Sequence, residues 1–379
     1  MRRSTEDERR RLNALFAELC AIPSVSGQES AMAARVRELL ESMGLAVEAD
    51  AAGNLLARWS GGDPDQDRRS VLLCAHLDTV PHGDVPIDPV LVDDGWENRH
   101  DAILGADNKA AVAVMLLAAE RVADPAQPRP PVDVELLLTV EEEVALAGAK
   151  AFDVSRLRSD FGFVYDHATP IGEIVMASPT YYRVEATFHG RAAHAGIRPE
   201  DGRSAIAAAA RAIAAMRLGR LDDETTANVG WIDGGLAGAT NVVPERCRLL
   251  AETRSLDPAK AEASVAEIVD HLHDAANDPA CECDVDVVVE RLFEGYRHKA
   301  SSPAVRAAER ALDACGYTPR HILSGGGADA NAFEAAGFHC VCLANGTERN
   351  HEPTERVSVA ALESMLDVTY ALLDACADG

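Results

Sequence analysis

Short apolar runs that end beside histidine or acidic residues constrain this chain more than any other feature. Val71–Ala75, Val132–Thr139, Phe161–Tyr165 and His339–Leu343 have the length and β-branched or aromatic content of buried strands. Helical patterns separate them: Asn108–Ala123, a short start at Ala145–Phe152, Pro303–Cys315, and a closing helix at Val359–Ala375. Before the first strand, Arg9–Met43 reads as helix, broken by the turn cluster Ile22–Gly27. Strands that alternate with helices predict an α/β domain with a mostly parallel sheet.

The middle of the chain changes character. Strand patterns at Arg183–Gly190, Thr225–Asp233, Arg246–Ser255 and Val285–Arg291 are interleaved with helices at Ser204–Met216 and Pro258–Ala275. The order β-α-β-β-α-β is the ferredoxin-like (α+β) arrangement, which closes on its own sheet. The expected organisation is therefore a catalytic-type α/β domain in two parts, 1–178 and 292–379, with a self-contained domain inserted at 179–291.

Composition narrows the partners. With 36 Lys+Arg against 62 Asp+Glu the net charge is −26, the wrong sign for a nucleic-acid binder or for docking on anionic membrane. The longest apolar run, Ala110–Ala119, is half of the ~20 residues a spanning helix needs. Met1–Arg11 is rich in arginine and acid and leads into an amphipathic stretch, unlike a secretory leader. The nine cysteines are scattered without a C-x-x-C, and Cys281/Cys283 and Cys340/Cys342 are i,i+2 pairs in β-like runs. They read as reduced core thiols, so the expected location is cytoplasmic; a disulfide framework or a thiolate metal site is the other reading.

Metal-ligand residue types recur just past the strands, where open α/β sheets place their sites. His76 and Asp78 form an H-x-D after Val71–Leu73, in which a carboxylate can fix the tautomer of a ligating imidazole. Alone, this also fits a turn histidine. Asp107, in Leu104–Lys109, stands where an apolar helix begins and also fits an N-cap. Glu141, Glu142 and Glu143 follow the run Leu136–Leu138. Like charges this close raise one another's pKa unless a cation neutralises them, although a solvated acidic loop would look the same. Asp166 follows Phe161–Tyr165, and His351 follows Val341–Leu343. His76, Asp107, Glu143, Asp166 and His351 together offer two imidazoles and three carboxylates. That set suits zinc, manganese or cobalt, and five such residues with one bridging carboxylate suffice for a two-metal site.

The motifs Ala75–Pro81, Gly105–Lys109, Thr139–Glu143 and Gly325–Asn331 resemble those of the M20 family of co-catalytic zinc peptidases, and most closely its peptidase T-like branch. Their order and spacing span nearly the whole chain, and the inserted domain is similar to that family's lid and dimerisation domain. The resemblance implies that His76 and Asp166 hold one metal, Glu143 and His351 the other, and that Asp107 bridges them. It implies that Asp78 orients His76 and that Glu142 is the general base. In the inserted domain it assigns His194, within Ala193–Gly196, to the scissile carbonyl, often that of a partner protomer. It assigns Asn241, within Asn241–Pro244, and Arg254 to the substrate's carboxylate end. Gly326, within Gly325–Gly327, would admit close backbone approach. A surface-loop role for His194 and a surface ion pair for Arg254 stand beside these assignments.

There are two departures from the family pattern. Ala145 stands where relatives usually have glycine, so the turn there should be tighter or shifted. Glu141 replaces Asp or a small residue and is expected to face solvent. The implied activity is exopeptidase hydrolysis of short peptides, of di/tripeptidase or aminopeptidase type, through a metal-bridged water and Glu142. A carboxypeptidase or N-acyl-amino-acid deacylase is the rival within the family, since fold does not choose among them. A non-catalytic peptide-binding relative is the rival outside it, and a complete ligand set with Glu142 speaks against that. A homodimer through the inserted domain is implied as well. Dividing Glu142 and Glu143 between two roles requires a turn at the strand end, because neighbours in an extended strand point opposite ways.

Overall fold

The computed structural model describes residues 3–59, 68–128 and 130–377; of the N-terminal stretch, Met1 and Arg2 lie outside the described residues. Two compact units emerge, Met1–Ala177 with Arg297–Gly379, and Ser178–Tyr296 between them in sequence.

The first unit begins with helices α1 (Glu6–Cys20) and α2 (Ser30–Ser42), then strands β1 (Ala46–Ala49), β2 (Leu55–Trp59) and β3 (Ser70–His76). A hairpin of β4 (Pro89–Val92) and β5 (Gly95–Asn98) precedes α3 (Ala106–Ala123). Next come β6 (Asp133–Thr139), the short α4 (Ala147–Ala151), β7 (Phe161–His167) and β8 (Glu173–Ser178). The inserted unit holds β9 (Thr180–His189), α5 (Ala205–Ala215), β10 (Gly219–Arg220), β11 (Thr225–Gly234), β12 (Arg246–Ser255), α6 (Pro258–Asn277) and β13 (Asp284–Phe293). The chain returns through β14 (Tyr296–Arg297), α7 (Pro303–Cys315), β15 (Arg320–Leu323), α8 (Asp329–Ala335) and β16 (Cys340–Ala344). It ends with β17 (Thr347–Glu348), β18 (Arg356–Ser358) and α9 (Val359–Ala375).

The main sheet runs β1-β2-β6-β3-β7-β16-β8-β14, with β15 beside β8. Its centre, β6-β3-β7-β16, is parallel. The flanks are antiparallel where β1 meets β2, β2 meets β6 and β16 meets β8. The parallel centre is apolar on both faces, as a sheet covered by helices must be. Leu72, Leu73, Leu137, Phe163 and Val341 are fully buried, and each such side chain contributes about 1.5–3 kcal/mol relative to exposure. The parallel strands share one direction, so their C-terminal ends share one edge of the sheet. His76, the Glu141–Glu143 turn, Asp166 and the loop to His351 all follow those ends.

The flanking strands, the small β17-β18-β5-β4 sheet and α8 were not expected from the sequence. They are two to seven residues long, and pairing with an established neighbour defines them more than their own pattern does. In the inserted unit the sheet order is β10-β11-β12-β9-β13, antiparallel throughout. Without the two-residue β10 this is the ferredoxin-like order, and α5 and α6 pack on the sheet. Val184, Phe188 and Leu249 from the sheet meet Ala208, Ala212, Ile268 and Leu272 from the helices.

The inserted unit runs past residue 291 because β13 continues to Phe293, whose ring meets Tyr181 edge-on at 5.3 Å. The Gly295 N–H also donates to Thr180 Oγ1 at 2.9 Å, closing the end of the unit onto its start. The nine cysteines are unpaired, and all but the half-buried Cys315 are buried. Cys340 and Cys342 lie in β16 as expected, but Cys281 and Cys283 lie in the turn before β13, where Glu282 has φ 44°. The local β-like composition there is overridden by a bend. Among the described residues no helix is long and apolar enough to cross a membrane.

Candidate metal centre

The parallel strand ends bring His76, Asp107, Glu143, Asp166 and His351 together. His76 is the last residue of β3 and Asp166 the sixth of β7. His76 Nε2 lies 3.3 Å from Asp107 Oδ1 and 3.5 Å from Asp166 Oδ1. His351 Nε2 lies 2.9 Å from Glu143 Oε1 and 3.4 Å from Asp107 Oδ2. The two oxygens of Asp107 thus face two different imidazoles. The donors form two triads, His76-Asp107-Asp166 and Asp107-Glu143-His351, which share Asp107.

The N-cap alternative for Asp107 does not hold. Asp107 and Asn108 have non-helical backbone angles, and the start of α3 has no side-chain cap. Glu355 instead receives the backbone N–H groups of Leu104, Gly105 and Asp107, each at 2.8 Å. This carboxylate is 2% exposed. It fixes the loop that presents Asp107, and burial pushes its pKa up to about 7 despite those bonds. Sequence reasoning missed Glu355 because its nearest backbone partner in sequence lies 248 residues away.

Asp78 has two jobs. Its Oδ1 lies 3.3 Å from His76 Nδ1, which is also 3.1 Å from the Asp78 carbonyl. Its carboxylate also accepts the Glu142 N–H at 3.0 Å, the Glu143 N–H at 3.1 Å and the Ser26 hydroxyl at 2.7 Å. The turn needed to separate Glu142 from Glu143 is made by Glu141, at φ 52°, and held by Asp78. Glu142 is buried, and its carboxylate lies within 4.8 Å of donor atoms of His76 and Glu143. Glu141 is half-buried rather than solvent-facing, because its N–H bonds Glu29 at 3.1 Å and its side chain lies against Gly27. Ala145 takes φ 58°, the left-handed conformation that glycine would adopt more readily, so the turn carries a steric cost.

Burial sets the electrostatics. It disfavours the charged form of Glu142, and Asp166 adds to this, so its pKa stands well above the ordinary range. Burial likewise raises Asp166, with Asp107 and Asp329 adding to the shift. Burial would also raise Asp107, but hydrogen bonds from His351 and His76 outweigh it and hold the carboxylate low. Burial would discharge His76; the carboxylates of Asp166, Asp107 and Asp78 prevail and raise its pKa well above normal. Hydrogen bonds to Asp107 and Glu143 lift His351 to about 10. Carboxylates this crowded require positive charge, and the N/O donor set fits divalent cations.

Asp329 lies within the glycine-rich motif, and its place in the site is visible only in the structure. It is buried, accepts the Thr139 hydroxyl at the end of β6, and is pushed up to about 6 by burial. At Gly326 the side on which a Cβ would stand meets only Ser324 Oγ at 3.8 Å, leaving room for a close approach.

The inserted unit places its three candidates differently. His194 and Asn241 are exposed and adjacent: His194 bridges to Val242, and the Ala195 N–H donates to the Asn241 carbonyl at 2.9 Å. Arg254 is half-buried, 3.1 Å from Glu252 and 4.1 Å over the Tyr181 ring. It pairs with Tyr181 at one end of the sheet, whereas His194 follows the other end, where His189 pairs with Arg246.

The chain is similar to known proteins over nearly its whole length. Residues 72–375 match the model of peptidase family M20/M25/M40. The chain is 33% identical to the uncharacterised protein YqjE of Bacillus subtilis over 376 residues, 97% of this chain and 99% of that one. It is similar to the crystal structure of aminopeptidase PepT from Bacillus cereus, at 34% identity and TM-score 0.85, covering 98% and 99% of the two chains. A tripeptidase structure from Staphylococcus aureus is 30% identical with TM-score 0.90, at the same coverage. The chain belongs to peptidase family M20/M25/M40, in its peptidase T-like branch.

Proposed function

We propose that the protein is a co-catalytic two-zinc exopeptidase that removes residues from short peptides, in the manner of an aminopeptidase or tripeptidase. The observation that carries this reading is the pair of donor triads sharing Asp107, with buried Glu142 beside them. His76 and Asp166 would hold one ion, Glu143 and His351 the other, and Asp107 both, with manganese or cobalt able to replace zinc. Bound cations would supply the Lewis acidity that polarises a peptide carbonyl and acidifies water.

The chain's own residues do the rest. Glu142, with its raised pKa, is suited to take a proton from the attacking water and return it to the leaving amine. Asp78 keeps His76 and the Glu142–Glu143 turn in register with each other. His194 would donate to the carbonyl oxygen as it gains charge, and Arg254 would grip a terminal carboxylate through its planar fork. Asn241 would assist at the carboxylate end, and the open backbone at Gly326 would line the peptide.

The placement of these residues supports a homodimer through the inserted domain. Tyr181 and His189 are eight steps apart along β9, about 27 Å at 3.4 Å per residue. An extended tripeptide spans only about 10 Å. Backbone positions that far apart favour the supply of His194 and Arg254 to one tripeptide by two protomers. The unpaired buried cysteines support a reducing, cytoplasmic location.

A panel of dipeptides, tripeptides, tripeptide amides and N-acyl amino acids, each with zinc, manganese and cobalt, tests the reading. Release of the N-terminal residue from free tripeptides is the expected result. Preferential cleavage of acyl amino acids would move the assignment to a deacylase, and cleavage from the C-terminus to a carboxypeptidase.

A further inference from the structure

Outside the metal centre, one further group of potential ligands among the described residues meets the spacing of a cation site: His298, Glu334 and His339. We propose that these three side chains bind a third divalent cation, structural rather than catalytic, with water completing the coordination.

Three separate elements supply the ligands. His298 directly follows β14, where the chain re-enters its first unit; Glu334 lies near the end of α8; His339 immediately precedes β16. Glu334 Oε1 lies 2.7 Å from His339 Nδ1 and 3.8 Å from His298 Nδ1, and the two rings meet edge-on at 4.8 Å. Ligands about 2.0–2.1 Å from a tetrahedral zinc are about 3.3–3.4 Å apart, midway between those two distances. Two imidazoles and a carboxylate are also a ligand set that zinc commonly takes with water in the fourth place.

The surroundings favour a bound ion. The His298 side chain is set in a buried position from which its ring faces the Glu334 carboxylate. The Cys340 N–H donates to Glu334 Oε1 at 2.8 Å and fixes the carboxylate in turn. The His298 side chain is 1% exposed, while Glu334 at 21% and His339 at 34% leave a path for an ion and water. The 2.7 Å contact is that of a Glu334–His339 ion pair, and a bound ion would replace it with bonds from all three side chains. A cation here would tie the far end of α8 to the returning chain. The near end of α8 carries Asp329, so the ion would steady the element that follows the glycine-rich loop.

Zinc content of the full-length holoenzyme, measured by mass spectrometry after dialysis against a zinc buffer, tests this. The His298→Gln/His339→Gln variant is expected to hold one zinc per chain fewer than its parent, with peptidase turnover within about twofold. The same loss of one is expected when both carry Asp107→Asn, so the result does not depend on how many ions the catalytic cluster takes. Glu334→Gln provides the same subtraction if the double variant does not fold. Equal zinc in parent and variants, in either background, overturns the proposal.

Discussion

The two units hold their candidate residues in opposite ways. In the first unit the donors come from parallel strand ends and the start of α3, are buried or nearly so except for the half-exposed His351, and are bound to one another through Asp78, Asp107 and Glu355. In the inserted unit His194 and Asn241 stand exposed on a loop pair, and Arg254 rests on Tyr181 and Glu252 at the far end of the same sheet. A charge cluster that must bind cations is costly to reorganise, so its geometry is built in before any ligand arrives. Groups that meet a substrate can stay solvated until they are needed.

Breaking the buried side of this contrast should have the largest effect. Glu142→Ala is expected to lower kcat by about 10³-fold while leaving metal content intact, read by steady-state kinetics beside metal analysis. An active, metal-replete variant would remove Glu142 as the base. His351→Ala should lower the metal content towards one ion per chain and turnover by about 10²-fold, since outer and inner ligand changes carry penalties of this order. Two ions still tightly held in that variant would take His351 out of the ligand set.

The exposed side should respond more gently. Arg254→Lys is expected to raise KM about tenfold for free tripeptides and little for tripeptide amides, because lysine cannot offer a planar bidentate grip. An equal loss on both substrates would show that Arg254 does not contact a carboxylate. Mixing subunits of Glu142→Ala and His194→Ala, each inactive alone, should restore about a quarter of wild-type activity if random reassortment into twofold dimers rebuilds one site per heterodimer. No recovery on mixing, with subunit exchange verified, would mean that each inserted domain serves its own chain.

The smallest effect concerns the charge buried beside the metal centre. Lys109 is fully buried, its Nζ donates to the Ile22 carbonyl at 2.7 Å, and burial brings its pKa from 10.5 down to about 8. Between those values the unfolded chain binds more protons than the folded one, so this residue makes stability rise with pH there. Lys109→Met should flatten that rise in thermal melts between pH 8 and 10.5. An unchanged slope would show that Lys109 titrates as it does in water.

The long, strongly patterned elements were legible in the sequence: the parallel strands, α3, α9 and the β-α-β-β-α-β order of the insertion. The short flanking strands were not, because their neighbours rather than their composition define them. Four of the five donors could be found because they follow apolar strands, whose ends a parallel sheet gathers, and Asp107 because it opens an apolar helix. Glu355 escaped notice because its role consists of accepting backbone N–H groups from a distant loop, and side-chain type does not reveal that. Asp329 stood in plain view within a motif but had no assignable partner until β6 was placed next to it. At Ala145 the backbone adopts a left-handed turn and bears the steric cost of a side chain there.

By itself, then, the sequence determined the class of fold, the acidic surface, and which side chains could ligate a metal, because periodicity and residue chemistry are local properties. Only the tertiary structure decided that Asp107 faces two imidazoles, that Asp78 holds the turn between Glu142 and Glu143, and that His194 and Arg254 lie at opposite ends of one sheet. Those are distances between residues far apart along the chain, and they are set by strand order and packing.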